Sequence, residues 1–188
     1  GKTTAEGNDE DEISAFWATV LESSMTFTPS TTPATPAPTS ANSIPIRASE
    51  YSISYDTDVD DRLPSLDEYR ELAELTRVYL EDFMFDEFSQ TSLTTLDDFL
   101  TVQISNSFTA GEPILVDYRS IGLFNPSSIF LPTVRELDGL ITGAFTGENL
   151  MAYVALVQAL PSQNIFSSTS SACLVRFGGQ CEPTVSPV

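Results

Sequence analysis

Thr94–Phe124 reads TTLDDFLTVQISNSFTAGEPILVDYRSIGLF, and this stretch decides the fold. Leu96, Leu100, Val102, Ile104 and Phe108 fall at even spacing and predict a strand with one apolar face. TAGE makes a turn, and PILVDYRSIGLF, rich in β-branched and aromatic residues, predicts a second strand paired to the first. Asn125-Pro126 ends the hairpin.

Upstream, IRASEYSISY (Ile46–Tyr55) alternates, with Tyr51, Ile53 and Tyr55 on one face, and predicts a first strand. Beyond an acidic loop, Pro64 precedes Ser65, which with Glu68 forms a capping box. Leu66, Tyr69, Leu72, Ala73, Thr76, Tyr79, Leu80 and Phe83 then keep a helical period. Phe85 and Phe88 leave that stripe and are expected at a contact surface. Downstream of the hairpin, Pro132 and a second capping box, Thr133 with Glu136, open a helix that Pro161 stops. Gly143 and Gly147 mark a break within it. NIFSSTSSACLVRF supplies a last strand. The expected class is α+β: a ferredoxin-like βαββαβ sandwich with two helices on a four-stranded antiparallel sheet.

The chain has 188 residues, 41% of them hydrophobic, enough for one domain and a tail. Residues 44–178 form the expected domain, 1–43 a tail and 179–188 a C-terminal linker. Thirteen of the 18 residues in Thr26–Ser43 are Ser, Thr or Pro (13 of 18). That composition cannot bury enough apolar surface to order itself. It suits a mucin-like stalk bearing O-glycans and equally a plain linker. No Asn-x-Ser/Thr sequon is present. Within the tail, Ile13, Phe16, Trp17, Val20 and Leu21 form a short helical stripe, with Phe16 and Trp17 as anchors for a partner or for the domain itself.

Asp and Glu number 27 against 8 Lys and Arg, a net charge of −19. Such a surface repels nucleic acid and anionic membranes. The lack of histidine removes Ser-His-Asp and Cys-His catalysis and histidine-based metal sites. No apolar run reaches the roughly 18 to 20 residues that span a bilayer. GKTTAEGNDEDE lacks the apolar core of a secretory signal, so a secreted protein would be represented here by a mature form or a fragment.

The segment Phe108-Thr109-Ala110-Gly111-Glu112-Pro113-Ile114-Leu115-Val116-Asp117-Tyr118 resembles the central hairpin of SEA domains, extracellular modules of βαββαβ order that commonly follow Ser/Thr/Pro-rich stalks. The resemblance covers Ile44–Phe177. The YLEDF (79–83) and FTGENL (145–150) segments are also similar in style to surface proteins of diatom-type algae. Many SEA domains cut themselves at a Gly-Ser bond in this turn, the serine hydroxyl attacking a strained carbonyl. Here Glu112 follows Gly111, which implies a domain that stays whole; Thr109 is poorly placed to substitute.

Asp56, Asp58, Asp60 and Asp61 alternate in the manner of a calcium loop, with Asp67 at the twelfth position, but Asp61 and Pro64 break the EF-hand pattern. A solvated acidic loop is the plainer reading. Asp97-Asp98, Glu81-Asp82 and Asp86-Glu87 are adjacent carboxylates that diverge on a strand or line a wet helix face, so no catalytic residue or cofactor is assigned. Cys173 and Cys181 suit one disulfide. The expectation is a non-enzymatic extracellular or cell-surface module for adhesion, spacing or matrix assembly, bound to a protein or matrix partner or to itself. Two alternatives are an assembly subunit held by its N-terminal arm and an acidic calcium- or mineral-interacting protein.

Overall fold

A computed structural model describes residues 42–58, 62–175 and 181. Along the chain run β1 (Ile44–Arg47), β2 (Tyr51–Thr57), α1 (Leu66–Ser89), β3 (Leu96–Ser107), β4 (Ile114–Phe124), α2 (Val134–Ala144), α3 (Gly147–Gln158), a 3-10 turn (Ile165–Ser168) and β5 (Thr169–Val175). The class is α+β, with an antiparallel five-stranded sheet. β4 is its hub, pairing with β3 along one edge and with β1 and then β2 along the other, while β5 pairs with β2.

The expected four strands are therefore five, because Ile46–Tyr55 does not run unbroken. At the interruption the Ser49 N–H and hydroxyl both donate to the Asp138 carboxylate, each at 2.8 Å. That bond turns Ser49 toward α2 and away from the ladder. The second helical stretch breaks where Gly143 and Gly147 mark it, into α2 and α3, bent by 62°. Phe145 lies between them, buried against the rings of Tyr51, Tyr79 and Tyr153. Gly147 takes a left-handed φ of 56° to restart the chain as α3. Among the described residues no single helix is long and apolar enough to cross a membrane.

Alternation holds in β4, whose Ile114, Val116, Tyr118, Ser120 and Phe124 all face the helices. Gly122 belongs to the same row and leaves room for the Phe124 ring; a Cβ there would stand 2.6 Å from it. In β3 the expected face holds at Leu96 and fails from Leu100 to Ile104. A bulge between Leu96 and Asp98 changes the parity, so Phe99 and Thr101 point inward; a second bulge lies between Gln103 and Ser105. Leu100 and Val102 are half-buried on the other face, and Ile104 is exposed.

Both capping boxes form. The first does more than start α1. Glu68, buried, accepts from the Ser65 N–H at 2.7 Å, the Ile165 N–H at 2.7 Å and the Arg62 guanidinium at 2.9 Å. It thus fastens the start of α1 to the 3-10 turn nearly a hundred residues away. Arg62 pairing, with help from the two N–H groups, holds the Glu68 carboxyl down to about 2. A depressed carboxylate contributes stability that is complete above its unfolded pKa and is lost as pH falls through the folded one. We expect about 2 to 3 kcal/mol to disappear between about pH 5 and pH 2, and Glu68→Gln to flatten that slope. Urea midpoints measured across this range decide it; equal slopes in the two proteins would remove Glu68 from the account.

Candidate functional site

The hairpin turn comes first, because the resemblance places chemistry there. Gly111 has φ of 78° and the Glu112 N–H donates to the Thr109 carbonyl at 3.0 Å, closing a tight turn. Glu112 is exposed. Its carboxylate offers no hydroxyl for an N-to-O acyl shift. Phe108, half-buried, packs on the core and anchors the turn.

The acidic loop is only partly in view. Asp56 and Asp58 are exposed at the end of β2, and Asp60 and Asp61 lie outside the described residues. Among the described residues no group of three or more acids or cysteines is placed to hold a metal. Asp67 pairs with Arg70 at 3.0 Å. Phe16 and Trp17, and with them the arm, also lie outside the described residues.

Of the paired carboxylates, Asp97, Asp98 and Glu81 have structural partners. Asp97 accepts from the Ser43 hydroxyl at 2.6 Å and from the Asn125 amide at 3.2 Å, whereas Asp98 accepts from the Phe99 N–H at 2.8 Å. Glu81 pairs with Arg77. Cys173 and Cys181 are joined in a disulfide, their Cα atoms 5.5 Å apart. Cys173 stands opposite Ser54 of β2, so the bond ties the end of the chain to the sheet.

What sequence reading did not find is a groove of about 1210 Å³ between α1 and α3. Leu75, Val78, Phe83 and Phe85 of α1 face Leu156 of α3 and Leu160 just beyond it. Val78 is 41% exposed, Phe85 37% and Leu156 46%. Phe85 is thus at a surface as expected, but Phe88 is not: it is buried edge-on against Phe124, ring centres 5.2 Å apart. The groove floor is rigid. Tyr79 has one proton to share between two carbonyls, Ala144 at 2.7 Å and Asn149 at 2.9 Å, which pins the α2–α3 bend to α1. Burial pushes the Tyr79 phenol up to about 12, so this bond persists at any ordinary pH. The rim carries Glu71, Glu74, Asp82 and Asp86.

Below the groove lies a buried hydroxyl cluster. Tyr153 Oη is 2.6 Å from Tyr55 Oη and 2.8 Å from Thr76 Oγ1; Thr76 in turn donates to the Leu72 carbonyl at 2.8 Å and lies 3.3 Å from Tyr118 Oη. All four side chains are fully buried, and their bonds hold strands to helices.

Compared with known proteins, the chain matches no family profile, no curated protein and no solved structure.

Proposed function

We propose that the chain is a non-enzymatic extracellular or cell-surface module, SEA-like in its sheet order and helix placement, that serves adhesion, spacing or matrix assembly without cutting itself. In this reading β1 and β2 are one interrupted strand and α2 and α3 one bent helix, which restores the βαββαβ order. The observation that carries the proposal is the Cys173–Cys181 disulfide, a bond that persists in oxidising compartments. The acidic surface and the Ser/Thr/Pro-rich segment ahead of the domain support it, because both keep such a module solvated and apart from its neighbours.

Intact mass and thiol count of the full chain, purified from a secreting host and incubated for days, test the proposal. The expected result is one uncut polypeptide with no free thiol. Fragments meeting at Gly111–Glu112 would refute the uncleaved turn. Two free thiols in the secreted protein would remove the argument for the compartment.

A further inference from the structure

We propose that the groove between α1 and α3 docks a basic amphipathic helix from a partner protein. This deepens the surface-module reading by naming the chemistry of its contact, and rests on that reading for its biological setting alone.

The shape comes first. Between Arg70 and Ser89 the α1 wall of the groove runs about 28 Å at 1.5 Å per residue, the length of a helix of about five turns. Val78, Phe85 and Leu156 stand 37 to 46% exposed in its floor, close enough to form one stripe rather than scattered apolar residues. Helices that lie in such grooves present anchors at i, i+3, i+4 and i+7. Tyr79 fixes the bend behind the groove, so the surface is preformed.

Charge then selects the occupant. Asp82 and Asp86 stand one helical turn apart on the rim, where like charges repel, and neither has a cationic partner among the described residues. Of the other rim acids, Glu71 accepts from the Asn164 amide at 2.8 Å and Glu74 is paired with Arg77 at 2.7 Å, so Asp82 and Asp86 are the charges a partner would answer; the cation lining the groove, Arg70, is already paired with Asp67. Lys or Arg beside the apolar stripe of a partner would answer this pattern. The chain's own arm does not: residues 1–41 hold one Lys and six acids, with Asp9–Glu12 before its stripe and Glu22 after it. A second copy brings a further net charge of −19. Both are poor electrostatic matches for an acidic rim.

The test uses the full chain and two labelled peptides of about 19 residues. Both carry the same Leu/Phe stripe, one flanked by Lys and Arg, the other by Glu and Asp. Fluorescence anisotropy should show the basic peptide binding at least about tenfold tighter than its acidic twin, with the difference shrinking as salt rises. Phe85→Glu with Leu156→Glu, at exposed positions that leave the fold intact by circular dichroism, should abolish binding. Asp82→Lys with Asp86→Lys should reverse the preference between the peptides. No binding of the basic peptide, equal binding of both, or retention of binding in the Phe85/Leu156 double variant overturns the proposal. So does a basic peptide that binds only after residues 1–41 are deleted, since the arm would then be the occupant. These outcomes leave the mass and thiol results untouched, so the two readings fail separately.

Discussion

Raising the pH past about 10 unfolds the protein in one steep transition, and phenolate absorbance rises with the unfolding rather than ahead of it. Tyr51, Tyr55, Tyr118 and Tyr153 are at most 3% exposed. Burial pushes the Tyr118 phenol up to about 12 and the other three well above the ordinary tyrosine value. For a group whose folded pKa is raised, stability is complete below the unfolded pKa and is lost as pH climbs toward the folded one, because the unfolded chain releases its protons first. Each tyrosine withdraws about 1.4 kcal/mol per pH unit, so four together withdraw about 5 kcal/mol per unit above about pH 10. A domain of ordinary stability, about 5 to 15 kcal/mol, is exhausted within one to three such units. Circular dichroism and phenolate absorbance followed against pH should trace the same curve. Phenolate appearing near pH 10 in a chain that keeps its circular dichroism would mean that water reaches these hydroxyls in the folded state.

These tyrosines also show which parts of the fold were legible in the sequence. Tyr51 and Tyr55 were readable as a buried face because β4 alternates along its whole length and β2 spaces Tyr51, Ile53 and Tyr55 two apart, although Ser54 is buried as well. Both helix starts were readable because a capping box is local, its partners three residues apart. The break at Gly143 to Gly147 was readable for the same reason. Long-range determinants were not. Ser49 leaves the ladder for Asp138, 89 residues away, and nothing near Ser49 announces that. The inward face of β3 depends on the bulge between Leu96 and Asp98, which appears only when the strand is paired with β4. At the candidate site, Asp82 and Asp86 were legible as a wet helix face, and Phe85 as a surface residue. Their meeting with Leu156 was not, since it depends on how α1 and α3 pack. Asp97 and Asp98 do take separate partners, but strand alternation is not the reason, because the bulge between Leu96 and Asp98 breaks that alternation at this pair.

The hydroxyl cluster carries a direction, and that direction ranks its substitutions. Thr76 has one proton, and at 2.8 Å the Leu72 carbonyl takes it, since a carbonyl can only accept. Thr76 Oγ1 must then accept from Tyr153 at 2.8 Å and from Tyr118 at 3.3 Å. With its proton spent on Thr76, Tyr153 accepts from Tyr55 at 2.6 Å. The wire runs from Tyr55 through Tyr153 to Thr76 and ends on the α1 backbone. Thr76→Val keeps the shape but strands two buried phenol donors, and should cost about 4 kcal/mol at about 1 to 3 kcal/mol each. Tyr153→Phe leaves the Tyr55 proton only the long 3.5 Å contact to the Tyr118 hydroxyl, about 2 kcal/mol. Tyr55→Phe removes the head of the wire and leaves every remaining donor satisfied, about 1 kcal/mol. Urea denaturation of the three variants reads the order directly. A Thr76→Val protein as stable as Tyr55→Phe would show that the protons run the other way, with Thr76 donating toward the tyrosines and the Leu72 carbonyl bonded within the helix alone.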